Sequence, residues 1–431
     1  MTTTNYIYQI FKDFPIISTD SRKIEKNSLF FALKGYNFNG NKFAADSLNK
    51  GAAYAIIDEE KYIVSEKTIL VDNVLNTLTE LANFHRKKLG IPILAITGTN
   101  GKTTTKELVS TVLAQKFNIT FTEGNLNNHI GVPLTLLKMN AKTQFGIVEM
   151  GANHRGEIKQ LCEIAEPDYG IITNIGKAHL EGFGSFEGVK SAKAELFHFL
   201  MAKNGRLFYN GNNPILEELI GDYKNKMSFG FKNTDFTGQA VPSSTFLHIK
   251  ANFKKGVLYL NTNLIGDYNF ENIMAAACIG TNFEIDPLII QKVIKEYQPK
   301  NNRSQLIIRG KIKIVMDAYN ANPTSMQASI ISFLSNNKHD YYLILGDMLE
   351  LGEYERKEHI QILDLIKDLN PKQVFLVGSI FSEVNSNFDF NTFENVSELN
   401  QFLKKNPIKN GNILIKGSRR IQLEKVLESL N

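Results

Sequence analysis

An α/β protein of three consecutive units is what this sequence predicts. Three observations carry that expectation: short apolar runs of strand length alternate with stretches of helical periodicity, the signature of a parallel sheet covered on both faces; the chain has 431 residues, more than one ordinary core accommodates; and turn-forming clusters punctuate it near Gly90 and Pro299. The expected units are 1–88, a small α/β domain; 89–299, a central phosphate-loop domain with a parallel sheet; and 300–431, a second doubly wound sheet.

The bulk numbers narrow the class. Apolar residues make up 43% and charged residues 22%, the balance of a folded globular chain. The net charge of +5 is mild and argues against a nucleic-acid-wide basic face. Two cysteines, Cys162 and Cys278, are too few for a disulfide framework and suit a reducing compartment. Met1-Thr-Thr-Thr-Asn-Tyr6 lacks a basic segment followed by an apolar core, so no secretory signal is expected. No apolar run reaches membrane-spanning length, and a cytoplasmic protein is the expectation.

In the first unit, Ser28-Leu-Phe-Phe-Ala-Leu33 belongs to a strand and helix mixture in which 41–50 reads as a helix, Ala53–Ile57 as a strand, and Leu75–Leu89 as the helix leading onward. Asp20, Ser21 and Arg22 follow an apolar run, where they suit either a turn or a substrate contact at a strand end.

The second unit opens on its most informative stretch. Ile93–Ile96 is a buried-strand pattern, Gly98 and Gly101 flank a tight turn, and Thr104–Phe117 carries apolar residues at helical spacing. Glycines let backbone N–H groups and a helix N-terminus approach an anion closely. Thr99, Asn100 and Thr104 belong to that loop; Lys102 adds a charge for β and γ phosphates, and Thr103 a hydroxyl where Mg²⁺ would sit. Ile96 stands where the full G-x-x-x-x-G-K-[ST] pattern has glycine, so the loop is a shortened variant.

Beyond it, Asn125, Asn127, Asn128 and His129 form an amide-rich turn suited either to phosphate and sugar oxygens or to Asx turns. Phe145-Gly-Ile-Val-Glu-Met150 is a strand that sets Glu149 at its end, a candidate Mg²⁺ ligand. Gly170-Ile-Ile-Thr-Asn-Ile-Gly176 is the next strand. It delivers His179, a candidate second-metal ligand at the same sheet edge. Lys190, Lys193 and Glu195 lie on the helix after that, where charge alone reads the lysines as solvated. Asn269 and Asn272 open a small-residue helix, as caps or as contacts to a base or ribose.

The polar run 300–304 follows Pro299. The third unit then shows strands at Lys313–Asp317, Tyr341–Leu345, Gln373–Val377 and Asn412–Ile415. Polar residues gather at their ends, in Asp317-Ala-Tyr-Asn-Ala-Asn-Pro323, Gly346-Asp-Met-Leu-Glu-Leu-Gly352 and Lys416-Gly-Ser418, as at a shared binding edge.

Thr97-Gly-Thr-Asn-Gly-Lys-Thr-Thr104, Asn125-Leu-Asn-Asn128, Glu149-Met-Gly-Ala-Asn153, Asn174-Ile-Gly-Lys-Ala-His179, Asp317-Ala-Tyr-Asn-Ala-Asn-Pro323 and Lys416-Gly-Ser418, in this order across nearly the whole chain, resemble the Mur ligase family. Within it the likeness is to the type that adds D-alanyl-D-alanine to UDP-N-acetylmuramoyl-tripeptide during peptidoglycan precursor synthesis. The resemblance implies an N-terminal uridine-nucleotide domain, a central ATPase and a Rossmann-like C-terminal domain that binds the dipeptide and closes on ATP. It implies an ADP-forming ligase that works through an acyl phosphate as a monomer, with ATP and two Mg²⁺ ions.

It also implies roles. Lys102 would hold ATP phosphates, Thr103 and Glu149 the first Mg²⁺, and His179 the second. Lys193 matches a lysine that CO₂ converts to a carbamate ligand. Asn272 would approach adenine with Asn269 beside it; Arg303, Asp317 and Asn320 would bring the third unit onto the nucleotide; Asp20, Ser21, Arg22, Asn127 and Asn128 map near the uridine-linked substrate. Two positions depart from the family pattern, Tyr268-Asn269 where His-Asn is frequent and Asn39-Gly40-Asn41 where Asp-Gly-His is. The alternatives are another Mur-type or folylpolyglutamate-type amide ligase, which the Asn-Leu-Asn-Asn and Asp-Ala-Tyr-Asn-Ala-Asn-Pro stretches disfavour, and a nucleotide-gated binding protein without ligation, which Glu149, His179 and Lys193 disfavour.

Overall fold

A computed structural model describes residues 3–243, 246–300, 302–336 and 341–430. Met1, Thr2 and, within the polar run 300–304, Asn301 lie outside the described residues. Three main sheets organise the chain: four strands within 16–70, nine within 93–261 and six within 305–416, with a two-stranded hairpin at 34–39.

The central sheet carries the site. Ile93–Thr97 lies between Tyr169–Ile172 and Phe145–Glu149, parallel to both, and Ile119–Phe121 closes that edge. All five residues of Ile93–Thr97 are buried. Ile93 and Ala95 enter one apolar cluster while Leu94 and Ile96 enter another, so the period-two strand is covered on both faces. On the other side the sheet runs through Arg206–Asn210, Lys226–Gly230 and Phe236–Val241, all parallel. It then turns antiparallel at His248–Phe253 and Gly256–Asn261. The sheet is therefore mixed rather than wholly parallel.

In the third unit, Ile312–Asp317, Gly411–Lys416, Tyr341–Gly346 and Gln373–Val377 pair in parallel in the expected positions. Gln305–Arg309 adds an antiparallel edge and Asn391–Phe393 a parallel one, two strands the sequence reading did not place; the second is only three residues long. One buried apolar cluster runs from Ile7 and Leu29 through Leu81 and Ile93 to Leu343 and Leu414, so the three units share continuous packing.

Gly40 shows why Asn39-Gly40-Asn41 folds as it does. A Cβ there would stand 2.5 Å from the Leu33 carbonyl oxygen. Asn41, fully buried, then donates to Asp58 (2.8 Å) and accepts from its backbone N–H (2.9 Å), tying this turn to the end of the strand Tyr54–Ile57.

Candidate functional site

The strand Ile93–Thr97 ends in Gly98 (φ 139°), and Gly101 (φ 78°) starts the helix Lys102–Leu113. Both glycines are required by space as well as by φ. A Cβ on Gly98 would meet Thr173 Oγ1 at 2.1 Å, and one on Gly101 would meet Asn272 Oδ1 at 2.4 Å. The neighbouring strand end braces the loop, since Asn174 Oδ1 accepts from the Asn100 N–H (2.9 Å), Thr173 Oγ1 donates to the Asn100 carbonyl (2.6 Å) and the Gly176 N–H donates to Thr99 Oγ1 (2.9 Å). Asn174 and Thr173 are thus supports that motif reading did not assign. Their signal was position, at the end of the adjacent strand.

Lys102 folds back on its own loop, donating to the carbonyls of Gly98 (2.7 Å) and Thr99 (3.0 Å). Burial lowers its proton affinity; Glu149 opposes that shift and Arg303 adds to it. Two cations that repel one another across a cavity favour an anion between them.

Glu149 is 2% exposed. Its Oε1 accepts from Asn127 Nδ2 (2.8 Å) and from the Thr103 hydroxyl (3.3 Å), while Oε2 is buried with no hydrogen-bond partner. The only cation paired with Oε2 among the described residues is Lys106 Nζ, at 3.9 Å. An unpartnered carboxylate oxygen beside a threonine hydroxyl is a donor set that fits Mg²⁺. Lys106 is 1% exposed, a buried charge that sequence reading passed over. It lies one helical turn after Lys102, and that spacing was the available signal.

Asn128 follows the turn reading, its Oδ1 accepting from Ile130 N (3.1 Å) and Gly131 N (2.9 Å). Asn269 and Asn272 are also engaged within the protein: Asn272 Nδ2 donates to Asn269 Oδ1 (2.8 Å), Asn272 Oδ1 accepts from Thr105 Oγ1 (2.9 Å), and Asn269 Nδ2 donates to the Ile265 carbonyl (2.8 Å). Tyr268 fills the departure position by bonding Ser304 through its hydroxyl (2.9 Å).

Lys193 reverses the solvated reading. It is 2% exposed, on the face of Phe186–Ala202 that also buries Val189, Leu196 and Leu200. That i, i+4, i+7, i+11 stripe was present in the sequence. Burial, with Lys102 nearby, lowers its proton affinity to about 7, and its Nζ lies 5.3 Å from the centre of the Phe183 ring. Lys190 is only partly exposed, its ammonium paired to Glu218 at 2.8 Å. Glu195 holds the start of the helix Glu157–Ala165 by accepting from Gly156 N (2.7 Å) and Lys159 N (2.8 Å).

The third unit completes the cavity. Asp317 accepts from Lys416 Nζ (2.6 Å), Ser329 Oγ (2.9 Å) and Ser304 N (3.2 Å), and the Arg303 guanidinium stacks 3.6 Å from the Tyr319 ring centre. Arg303 Nε is buried without a hydrogen-bond partner. His179, with φ 51°, places Nδ1 2.5 Å from Glu350 Oε2.

These groups surround a cavity of about 770 Å³, whose walls include Thr99 to Thr104, Asn127, Asn128, Glu149, His179, Asn269, Asn272, Arg303, Asp317 and Asn320. That size accommodates a nucleotide with a second reactant. Gly98 and Lys193 support it from outside the lining. Asp20, Ser21 and Arg22 lie apart from it: Arg22 and Asp20 form an exposed pair at 2.8 Å and the Ser21 carbonyl accepts from Lys50.

Comparisons with known proteins match all three units. Residues 13–94 fit the model described as Mur ligase family, catalytic domain, 96–280 the Mur ligase middle domain, and 302–419 the Mur ligase, glutamate ligase domain. A Bacillus subtilis protein named UDP-N-acetylmuramoyl-tripeptide--D-alanyl-D-alanine ligase is 34% identical, with 96% of this chain and 92% of the relative covered. An Escherichia coli protein of the same name is 31% identical over 96% and 93%. Among solved structures, MurF from Acinetobacter baumannii superposes with a TM-score of 0.87 at 27% identity (96% and 92% covered). MurF ligase from Thermotoga maritima, solved with ADP, gives 0.87 at 24% identity (100% and 98% covered) and shows the same fold. Likeness of this extent, running through every unit, means that the chain belongs to the Mur ligase family, in its MurF branch.

Proposed function

We propose that the chain joins D-alanyl-D-alanine to the peptide carboxylate of UDP-N-acetylmuramoyl-tripeptide, converting ATP to ADP and phosphate, in peptidoglycan precursor synthesis. The observation that carries the chemistry is the buried, unpartnered Glu149 oxygen beside Thr103 and the phosphate loop. The full-length kinship to ligases of that name carries the substrates.

A carboxylate is a poor acyl donor until one oxygen becomes a leaving group. Attack of that oxygen on the γ-phosphorus breaks the bond to ADP and gives an acyl phosphate. The dipeptide amine then attacks the carbonyl carbon, loses a proton, and expels phosphate as the tetrahedral adduct collapses. Lys102, the loop N–H groups and Arg303 stabilise charge on the transferred group, the dominant contribution in phosphoryl transfer. Glu149 and Thr103 would hold one Mg²⁺, His179 and a carbamate on Lys193 a second; these ions supply electrophilic stabilisation of the phosphates. Support for the carbamate is the desolvated Lys193 amine, half neutral near pH 7 and therefore nucleophilic toward CO₂.

Asn269 and Asn272 serve the nucleotide by holding the loop, and Asp317 and Asn320 by forming the third unit's wall. The first unit binds the uridine-linked substrate, with Asp20, Ser21 and Arg22 after a strand end, and Asn127 and Asn128 contribute from the cavity wall. The protein works in the cytoplasm as a monomer, without nucleic acid; among the described residues no helix is long and apolar enough to cross a membrane.

The test is a coupled assay with Mg-ATP, UDP-N-acetylmuramoyl-tripeptide and D-alanyl-D-alanine. Phosphate release that needs both acceptors and accompanies UDP-linked pentapeptide supports the proposal. Phosphate release indifferent to both, with no peptide product, refutes it.

A further inference from the structure

His179 and Glu350 face each other across the seam between the central and third units, and both are held in a backbone conformation that non-glycine residues seldom adopt. His179 has φ 51° and Glu350 φ 66°. Such geometry persists only where surrounding contacts impose it, and it concentrates at functional positions. The imposing contacts are present here. The Glu181 N–H donates to the Glu350 carbonyl (3.3 Å), and a Cβ on Gly352 would meet Glu181 at 3.3 Å, so the two loops lie backbone against backbone.

The loop that carries Glu350 is itself fixed on three sides. His359 Nε2 accepts from Met348 N (3.0 Å), Ser418 Oγ accepts from Leu349 N (3.0 Å), and Asp347 accepts from Ile380 N (3.0 Å) and Phe381 N (2.9 Å). The segment that carries His179 is gripped a second time by the same helix that holds His359. Lys177 Nζ meets Glu358 Oε1 at 2.6 Å, with the carboxylate side chain 4% exposed, and Lys177 N donates to Thr324 Oγ1 (3.0 Å). Residues 174–179 therefore join the phosphate loop at one end to the third unit at the other.

Glu350 Oε2 lies 2.5 Å from the buried Nδ1, and this leaves Nε2 as the nitrogen for the cavity that His179 lines. A carboxylate on one imidazole nitrogen orients the other toward a ligand. We propose that Glu350 is a positioning residue for His179: docking of the third unit sets Glu350 against Nδ1 and thereby aims Nε2 into the nucleotide cavity. The inference rests on His179 acting in the ATP chemistry proposed above.

The test uses the full chain with ¹⁵N-histidine and the variants Glu350→Ala, Glu350→Gln, Glu350→Asp, His179→Ala and the double variant. Glu350→Ala is expected to lower kcat about 10- to 100-fold with KM for ATP within about threefold. Glu350→Asp recovers part of the loss. The double variant is no slower than His179→Ala, the non-additivity of groups acting as a unit. The ¹⁵N signals of one of the eight histidines, absent from His179→Ala, shift in Glu350→Ala, and Mn²⁺ titration with ADP, read by electron paramagnetic resonance, loses affinity for one ion.

Unchanged His179 nitrogen signals in Glu350→Ala, or additive losses in the double variant, overturn the positioning role. Full activity in His179→Ala overturns the metal-ligand reading of His179 and this inference with it. Loss in His179→Ala with a wild-type Glu350→Ala overturns this inference alone.

Discussion

Asn322 in the third unit donates from Nδ2 to Asn100 Oδ1 at 2.8 Å, and Asn100 Nδ2 approaches Asn322 Oδ1 at 3.4 Å. Paired carboxamides thus link the phosphate loop directly to the unit that closes the cavity. A neutral hydrogen bond contributes about 1 kcal/mol net. Asn322→Ala should therefore loosen docking, raising KM for ATP roughly fivefold and the radius of gyration of the nucleotide-free protein. Unaltered small-angle scattering would contradict this.

Gly101→Ala should weaken ATP binding by more than about tenfold, because αL geometry costs an L-residue about 1–2 kcal/mol and the new methyl meets Asn272 Oδ1. The measurement is calorimetric titration with a non-hydrolysable ATP analogue. Affinity equal to wild type would show that the loop tolerates another path.

Glu149→Gln keeps the shape of the side chain and removes its charge. Breaking a buried ion pair costs about 3–5 kcal/mol; the 3.9 Å separation from Lys106 places this one at or below the lower figure. Thermal unfolding should reveal that loss without Mg²⁺, and Mn²⁺ binding should fall roughly 100-fold, the upper end for a weakened metal site. Lys106→Met in the Glu149→Gln background should restore much of the stability. Failure to do so would mean the pair is electrostatically unimportant.

Lys193 carries a sign that can be worked out. Its pKa lies near 7 in the folded protein and at 10.5 when exposed, so the unfolded chain binds more protons between those values. Before CO₂ or metal is added, stability should rise with pH across about 7 to 10.5, and Lys193→Met should flatten that rise. Activity in CO₂-depleted buffer should drop most below pH 7, where the amine is protonated, and small carboxylates should partly restore Lys193→Ala. Full activity of Lys193→Ala without any supplement would remove the carbamate from the mechanism.

His359 supplies the opposite end of the pH range. Fully buried, it is held neutral, its proton affinity pushed down by burial to about 4. The unfolded chain takes up its proton near 6.5, so stability is lost as pH falls from about 6.5 to about 4, by up to about 1.4 kcal/mol per pH unit. Denaturant midpoints across that window should follow the slope, and His359→Gln should reduce it. An unchanged slope would place the acid-sensitive group elsewhere.

What the sequence revealed follows physical range. The phosphate loop was legible because strand, turn and helix are contiguous, and Glu149 because a strand's end is set by its own pattern. Lys193 needed helical phase rather than charge to be placed, and the stripe Val189, Lys193, Leu196, Leu200 held that information. The contacts of His179 with Glu350 and of Asn100 with Asn322 depend on how two sheets dock, 171 and 222 residues apart in sequence, and no local periodicity encodes them. Lys106 was hidden for a similar reason, since only the packed sheet shows that its solvent is gone.

The resting position of Lys102, satisfied by two carbonyls of its own loop, bears on turnover. A ligand gains the lysine only by displacing both contacts, so the empty loop presents no bare cation to passing anions. On the proposed mechanism, a polyphosphate that also meets the loop N–H groups and Arg303 would outcompete the carbonyls, and a lone inorganic phosphate would offer far less. On that mechanism, the lysine's return to Gly98 and Thr99 would offset part of the cost of letting phosphate go.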